Sequence, residues 1–284
     1  MRTIRTIPEM RAWLGNLRAE NRSVGLVPTM GAFHAGHHSL MRAAKDEHDA
    51  VVVSLFVNPT QFNDARDLAN YPRSEANDAV EASELGVDVL FAPPTAEIYP
   101  EGFATTVSVT GLSEILEGAE RGPGHFAGVC TVVCKLLNIV APDAAYFGQK
   151  DAQQVAVVKR MVRDLDLPSK IEVLPTIREP DGLAMSSRNV RLSPSEREDA
   201  LQLSRALFAA RDAVAAGERD AERVRAVALS HLDDPEYLAI VDPLSFTPLT
   251  TIAAPALVAV AAHVGPVRLI DNLVLEPVPA PVAT

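Results

Sequence analysis

The segment Val24–Val57, VGLVPTMGAFHAGHHSLMRAAKDEHDAVVVSLFV, decides the fold. It opens with a short apolar run, Val24–Val27, which we expect Pro28 to end, and it closes with the continuous apolar run Val51–Val57. Between these runs, His37–His48 carries apolar residues at helical spacing. A strand, a helix and a fully apolar second strand are typical of a parallel sheet that is covered on both faces.

The same alternation continues along the first part of the chain. Its predicted elements are a helix over Ser74–Leu85, a strand over Val87–Ala92, a helix over Gly128–Val140, a strand over Ala144–Phe147, a helix over Asp151–Leu165 and a strand over Ile171–Leu174. This order predicts an α/β fold with a Rossmann-like, doubly wound parallel sheet. Ligands of such sheets bind beyond the carboxyl ends of the strands.

The pattern changes after Pro175. The run Ser193-Pro194-Ser195-Glu196 has the features of a helix start, and we expect this helix to reach Ala216. Asp220 is expected to cap another helix that reaches about Leu232. Strand-like runs follow at Tyr237–Val241, Ala256–His263 and Val267–Leu275, the last two as an antiparallel pair. We therefore predict two domains, a Rossmann-like one over residues 1–175 and a smaller α+β one over residues 176–284.

Composition excludes several classes of protein. The formal net charge of −11 argues against a general nucleic-acid binder. No apolar run approaches the roughly 20 residues that a membrane span needs, and residues 1–17 lack the features of a secretory signal. Cys130 and Cys134 lie four residues apart in an apolar helical pattern, which predicts buried thiols in a reducing compartment. We therefore expect a cytoplasmic protein that binds neither nucleic acid nor a membrane.

Three of the seven histidines, His34, His37 and His38, lie at the junction between the first strand and its helix. A helix N-terminus offers unpaired N–H groups and the positive end of the helix dipole, which suit a phosphate group. Histidines there can donate to phosphate oxygens and stabilise charge that develops during phosphoryl or nucleotidyl transfer. We therefore predict an anion site formed by His34 and His37, with His38 as a bystander.

The spacing of His34-Ala35-Gly36-His37 resembles the HxGH signature of the nucleotidyltransferase superfamily. Further motifs are similar to those of the pantothenate synthetase (pantoate–β-alanine ligase) family. They are PTMGAFHAGH at Pro28–His37, FVNPTQF at Phe56–Phe62, YPR at Tyr71–Arg73, GHFAGV at Gly124–Val129, FGQKDAQQ at Phe147–Gln154, DGLAMSSRN at Asp181–Asn189 and RLIDN at Arg268–Asn272. The resemblance covers essentially the whole chain.

This resemblance implies a ligase that uses ATP and Mg²⁺. In the family, the pantoate carboxylate attacks the α-phosphate of ATP and gives pantoyl adenylate and pyrophosphate. The amine of β-alanine then attacks the activated acyl carbon and releases AMP and pantothenate. The resemblance also implies a homodimer, a first domain that binds nucleotide and pantoate, and a smaller C-terminal domain that acts as a lid.

The resemblance implies roles for individual residues as well. His37 would be the proton donor, His34 would hold ATP phosphates with it, and Lys150 would stabilise phosphate charge. The ATP-binding residues would be Met30, Gly31, Ala32, Phe33, His34, Ala35, Gly36, His37, Gly148, Gln149, Lys150, Asp151, Ile177, Met185, Ser186, Ser187 and Arg188. Pantoate would be bound by Gln61 and Gln154, with Asn58 as a neighbour. Asp78 is a candidate ligand for Mg²⁺.

Two positions depart from the family pattern. Gln149 stands where the family more commonly has Glu, so one loop side chain loses its charge. Arg121 lies one residue farther from His125 than in the family pattern, which leaves its role open.

Two other functions stay open at this point. A nucleotidyltransferase with a different acceptor would keep the HAGH motif, but it would not need both Gln61 and Gln154. A nucleotide-binding regulator without catalysis would not need the full set of His34, His37, Lys150 and Arg188.

Overall fold

The computed structural model describes residues 1–63, 65–122 and 124–277. The chain divides into two compact units. Unit 1 comprises Met1–Gln149 and Gln153–Pro175, and unit 2 comprises Lys150–Ala152 together with the residues from Thr176 onward.

A six-stranded parallel sheet forms the centre of unit 1. Its strands, in chain order, are β1 (Arg2–Ile4), β2 (Val24–Thr29), β3 (Ala50–Leu55), β4 (Val89–Phe91), β5 (Ala144–Gly148) and β6 (Lys170–Leu174). The helices of this part of the chain are α1 (Ile7–Ala19), α2 (Ala35–Glu47), α3 (Ala65–Ala69), α4 (Glu75–Glu84), α5 (Thr95–Ile98), α6 (Glu117–Arg121), α7 (Gly124–Val140) and α8 (Ala152–Asp164). The predicted Rossmann-like α/β fold is thereby confirmed.

The order of the strands places the ligand site. In the sheet the strands lie in the order β1-β4-β3-β2-β5-β6, so the chain runs outward from β2 in one direction and then returns to its other side at β5. In open parallel sheets this point of reversal creates a crevice beyond the carboxyl ends of the two strands. The HAGH residues follow β2, the NPTQF residues follow β3, and Gly148 ends β5 with Gln149 directly after it, so all three motifs lie at this edge.

Pro28 does not end β2, contrary to the prediction. The strand continues to Thr29, and Pro28 lies opposite Ser54 of β3. On its other side β2 pairs with β5 at Gly25 and Leu26, before the proline is reached. A proline is tolerated where the strand is locally an edge, because no neighbouring strand then needs its missing N–H.

Helix α2 begins two residues before the predicted start at His37 because His34 serves as its N-cap. It buries Leu40, Met41 and Ala44 in a core that also contains Val51 and Val53 of β3. The helix is therefore fixed on the sheet, and its N-terminus is fixed with it.

Unit 2 contains a three-stranded antiparallel sheet in the order β7-β8-β9. Its elements are the helices α9 (Pro194–Ala215) and α10 (Ala221–Leu229) and the strands β7 (Tyr237–Val241), β8 (Ala256–Val264) and β9 (Val267–Leu275). The predicted capping box is present, with Ser193 and Glu196 satisfying each other's backbone N–H groups, and Asp220 caps α10. None of the helices in the described part of the chain is long and apolar enough to cross a membrane.

Candidate active site

The loop between β2 and α2 presents His34 and His37 at the N-terminus of a 13-residue helix. His34 has extended backbone geometry, and its Nδ1 accepts a hydrogen bond from the N–H of Gly36 at 3.1 Å. A neutral His34 therefore carries its proton on Nε2, where it can donate to a ligand. The ring of His37 lies 4.2 Å from that of His34, centroid to centroid. Two imidazoles beside the positive end of a helix dipole suit an anionic ligand.

Asp78, on α4, holds the backbone that leads to these histidines. Its Oδ1 accepts from the N–H of Phe33 at 2.9 Å and its Oδ2 from the N–H of Ala32 at 3.0 Å, and its side chain is fully buried. Gly31 and Ala32 both have positive φ, +83° and +52°, and such turns direct successive N–H groups toward one acceptor. The carboxylate of Asp78 fills this position, and Ser74 donates to it as well.

These bonds bear on the expectation that Asp78 binds Mg²⁺. Both of its oxygens are engaged by backbone N–H donors, which favours a role in holding the loop over a role as a metal ligand. Within residues 1–63, 65–122 and 124–277, no group of three or more His, Cys, Asp or Glu side chains is placed to hold a metal ion.

His38 differs from its two neighbours. Its Nε2 lies 2.7 Å from Oε2 of Glu81, which belongs to α4. The contact engages His38 with a protein carboxylate, in agreement with its expected position outside the anion site.

Asn58 and Gln61 lie in the 3₁₀ turn that follows β3. The Nδ2 of Asn58 donates to Oε1 of Gln61 at 2.9 Å and to the carbonyl of Gly128 at 3.1 Å, and its Oδ1 accepts from the hydroxyl of Tyr99 at 2.8 Å. Asn58 is only 1% exposed. It therefore orients the amide of Gln61, which is a positioning role, whereas the sequence suggested a direct neighbour of the substrate.

The orientation of Gln61 joins two of the predicted sites. With its Oε1 engaged by Asn58, its Nε2 donor lies 3.5 Å from Sδ of Met30. Met30 opens the loop that carries His34 and His37. The predicted pantoate residue Gln61 is thus in contact with the predicted ATP loop.

Sequence reasoning gave no individual roles to His125 and Gly128 of the GHFAGV motif. Nδ1 of His125 lies 2.9 Å from the carbonyl oxygen of Gln61. A Cβ atom on Gly128 would lie 2.6 Å from the carbonyl oxygen of Thr60 and 2.8 Å from the nitrogen of Gln61, so α7 approaches the turn as closely as a glycine allows. The spacing of three residues, which places both on one helix face, is the signal that could have revealed this contact.

Tyr99 was also missed. Its hydroxyl donates to Oδ1 of Asn58, and burial raises the pKa of the phenol above its ordinary value. The sequence around Tyr99 gives no signal for this role.

The neighbours Gln153 and Gln154 at the start of α8 differ in their surroundings. Gln153 is 4% exposed; its Oε1 accepts from the N–H of Glu117, and its Nε2 donates to the carbonyls of Leu112 and Ile115. It therefore fixes the segment before α7, while the half-buried Gln154 stays the candidate for pantoate. Arg121, whose role was open, donates to Glu117 from its Nε at 2.8 Å.

Of the other predicted ATP residues, Gly148 and Gln149 belong to unit 1, whereas Lys150, Asp151, Ile177 and the Met185–Arg188 segment belong to unit 2. The carbonyl of Lys150 accepts from Nδ2 of Asn272 at 2.7 Å, and its ammonium lies 3.9 Å from the carboxylate of Asp151. Ile177 lies beside Met185, because the N–H of Met185 donates to its carbonyl at 2.9 Å. The structure thus brings Ile177 next to the start of the Met185–Arg188 segment, in which the N–H of Arg188 donates to Oγ of Ser186.

Comparisons with known proteins point to one family. The pantoate-beta-alanine ligase family model matches residues 2–274. The pantothenate synthetase of Heliobacterium modesticaldum is 53% identical over 281 residues, which cover 97% of this chain and 100% of that protein. The crystal structure of pantothenate synthetase from Thermus thermophilus superposes with a TM-score of 0.92 at 48% identity, covering 98% of this chain and 100% of the other.

Another similar structure was solved with ligands bound. It is the pantoate-beta-alanine ligase of Francisella tularensis complexed with beta-gamma ATP and beta-alanine, which has a TM-score of 0.79 and 37% identity and covers 96% of this chain and 97% of its own. Because the family model spans almost all of the chain and the relative from Heliobacterium is about half identical over the full length, this protein belongs to the pantoate–β-alanine ligase family.

Proposed function

We propose that this protein is an enzyme that condenses pantoate with β-alanine at the expense of ATP and releases pantothenate, AMP and pyrophosphate. The observation that carries this function is the contact between Gln61 and Met30. It joins an oriented amide, which suits a hydroxy acid, to a two-histidine helix N-terminus, which suits phosphates, at one edge of the sheet.

In the first step, a carboxylate oxygen of pantoate attacks the α-phosphorus of ATP. The bond from that phosphorus to the bridging oxygen breaks, and pyrophosphate leaves with the electron pair and its negative charge. His34 and His37 are placed to meet this charge as donors, and His37 supplies a proton. Donors that are already oriented toward developing charge need no reorganisation during the reaction.

Other residues position the two reactants. Gln61 donates its Nε2 protons to pantoate because its Oε1 is already occupied by Asn58, and Gln154 provides the second amide. Lys150, Ser186, Ser187 and Arg188 bind the phosphate oxygens, a task that suits an ammonium, two hydroxyls and a guanidinium.

In the second step, the neutral amine of β-alanine attacks the acyl carbon of pantoyl adenylate. The bond from this carbon to the phosphate oxygen breaks, AMP leaves, the amine nitrogen releases one proton to solvent, and the amide of pantothenate remains. Adenylation is needed because a free carboxylate is a poor acyl donor. The site has to exclude water until the amine arrives, since water would hydrolyse the adenylate.

Mg²⁺ enters this proposal together with ATP. Mg²⁺ is commonly bound by substrate phosphates and water with only one or two protein carboxylates. The described residues form no metal site of their own, and Asp78 is engaged with the loop.

Homodimerisation belongs to the proposal through the family resemblance, and a cytoplasmic location belongs to it through the composition of the chain. Sedimentation equilibrium of the purified chain tests the first, because a dimer has twice the chain mass of 30.4 kDa. Fractionation of cells that express the chain tests the second.

Product analysis tests the function. With pantoate, β-alanine, ATP and Mg²⁺ present, we expect equal amounts of pantothenate, AMP and pyrophosphate. Formation of ADP and phosphate would contradict an adenylate route. A nucleotidyl product that forms without β-alanine and never yields pantothenate would indicate the alternative transferase, and no turnover with any acceptor would indicate the regulator.

A further inference from the structure

Two adjacent polar residues of the RLIDN segment, Asp271 and Asn272, are buried on β9, each 4% exposed. Neighbouring side chains on a strand point to opposite faces, so the two are buried on different sides of β9. Asp271 lies on the same face as Val267, Leu269 and Leu275, which belong to the apolar core of unit 2. A buried polar group costs free energy unless it is hydrogen-bonded, so the partners of these two residues are informative.

Asn272 holds Lys150. Its Nδ2 donates to the backbone carbonyl of Lys150 at 2.7 Å, although the two residues are 122 positions apart in sequence. This bond fixes the orientation of the peptide group from which the lysine side chain starts. A lysine has a long flexible stem, so the place that its ammonium can reach depends on where its backbone is held.

Asn272 is itself held firmly. Its backbone N–H donates to Oδ1 of Asp271 at 2.7 Å, and its carbonyl accepts from Nη2 of Arg178 at 3.3 Å. Arg178 in turn binds both oxygens of Asp271, at 2.6 and 2.9 Å, in the two-pronged geometry that gives the best-defined ion pairs. The backbone from which the Asn272 side chain starts is thus held on both sides.

We propose that Asn272 is a positioning residue for the chemical step, which acts by holding the backbone of Lys150 where its ammonium can reach phosphate. Asp271 and Arg178 support Asn272 in this role. The inference rests on the proposed function of Lys150 in stabilising phosphate charge.

The first test is Asn272→Leu, which keeps the size of the side chain and removes the donor. We expect the single-turnover rate of adenylation to fall by about 10- to 100-fold, because small misplacements of a catalytic group carry penalties of this size. The KM for pantoate should stay unchanged. Asn272→Gln keeps an amide donor on a longer stem and should recover part of the rate.

A matched control separates positioning from general destabilisation. Gln202→Leu removes a different hydrogen bond between a side chain and the backbone in the same unit, the one that Oε1 of Gln202 accepts from the N–H of Asp233. We expect Gln202→Leu to keep the wild-type adenylation rate even where its melting temperature falls as far as that of Asn272→Leu. Equal losses of rate in the two variants would overturn the proposal.

A double-mutant cycle with Lys150→Ala tests whether Asn272 affects the adenylation rate through Lys150. If Asn272 acts through Lys150, then Asn272→Leu should cause no further loss of adenylation rate in the Lys150→Ala protein. Losses that multiply would overturn the inference and leave the proposed role of Lys150 in place. A Lys150→Ala protein with the full adenylation rate would instead overturn the proposed role of Lys150, and the inference would fall with it.

Discussion

At the scale of single residues, the three histidines after β2 differ in what holds them. Nδ1 of His34 is used by the N–H of Gly36, the ring of His37 lies against that of His34, and Nε2 of His38 meets Glu81. These environments differ in a way that matters for function. We assign His34 and His37 to the phosphate, whereas His38 is engaged with a carboxylate of the protein.

We predict that His37→Ala lowers the single-turnover rate of adenylation by about 10²–10³, the usual cost of removing one oriented donor at developing charge. The rate of the second half-reaction should change little, because pyrophosphate has left before the amine of β-alanine attacks. His38→Ala should leave adenylation nearly unchanged. Single-turnover kinetics of both half-reactions, with thermal melts as a control for folding, measure these effects. Equal loss of adenylation in the two variants at unchanged stability would contradict the assignment.

We predict that Gly128→Ala raises the KM for pantoate and lowers the free energy of unfolding by about 1–3 kcal/mol, the typical cost of overpacking. The added Cβ would lie 2.6 Å from the carbonyl oxygen of Thr60, so the turn that carries Gln61 has to move. Gly124→Ala on the same helix is the control, because its Cβ would meet an atom of Asn63 only at an ordinary 3.7 Å. A Gly128→Ala protein with the wild-type KM would show that the position of Gln61 does not depend on this contact.

The sequence could predict only some of these residue roles. His34, His37 and Gln61 lie in short motifs, and their chemistry can be recognised from residue type and spacing. The hydrogen bonds from Ala32 and Phe33 to Asp78 cross more than 40 positions, and they depend on how α4 lies beside the loop. No local pattern encodes such a contact. The sequence alone therefore shows only that Asp78 is a carboxylate, which suggests a metal ligand and does not reveal its bonds to the loop.

At the scale of the secondary structure elements, the helix starts that carry a capping side chain in unit 2 were predicted correctly, whereas α2 and α7 begin two and four residues before their predicted starts. Ser193 and Glu196 were expected to form a capping box, and Asp220 was expected to cap the next helix; both are observed. Capping depends on side chains within one turn of the backbone that they serve, so the sequence contains the whole interaction.

The capping box predicts a pH dependence of stability. Two hydrogen bonds from Ser193 hold the pKa of Glu196 below its ordinary value of 4.5. The backbone N–H makes the larger contribution and the hydroxyl the smaller one. A carboxyl with a lowered folded-state pKa contributes stability above its unfolded-state pKa and loses it as pH falls through the folded-state value. We therefore expect Glu196→Gln to be less stable than the wild type at pH 7, with a difference that shrinks as pH falls below 4.5.

Urea unfolding at a series of pH values from about 7 to about 3.5 measures this difference. Ser193→Ala is the matched variant. It keeps the backbone N–H that binds the carboxylate, so it should retain most of the pH dependence. A difference between wild type and Glu196→Gln that stays constant over the whole range would show that the charge of Glu196 does not contribute.

The ends of strands were less predictable than these capped helix starts. Pro28 was expected to terminate β2, yet the strand runs to Thr29 because β3 alone pairs with it there. The strand β1 was not predicted at all. It is three residues long, and only Ile4 is buried. Whether such a run becomes a strand depends on its neighbour β4, which is far away in sequence.

At the scale of the whole molecule, the sequence predicted the two kinds of sheet but not the order of the strands. Continuous apolar runs that alternate with helical periodicity indicate a parallel sheet, and the runs before and after Val264-Gly265-Pro266 indicate an antiparallel pair. The strand β2 lies between β3 and β5 because of the route that the connecting segments take between strands. Local periodicity in the sequence contains no information about that route. This placement creates the edge at which His34, His37 and Gln61 come together.

The central claim is that adenylation of pantoate is a separate first step carried out at this edge. Exchange of labelled pyrophosphate into ATP tests it most directly, with Mg²⁺ present and β-alanine left out. We predict that exchange requires pantoate, proceeds without β-alanine and is lost in His37→Ala. Exchange that requires β-alanine, or that occurs with an unrelated acid and not with pantoate, would contradict the account.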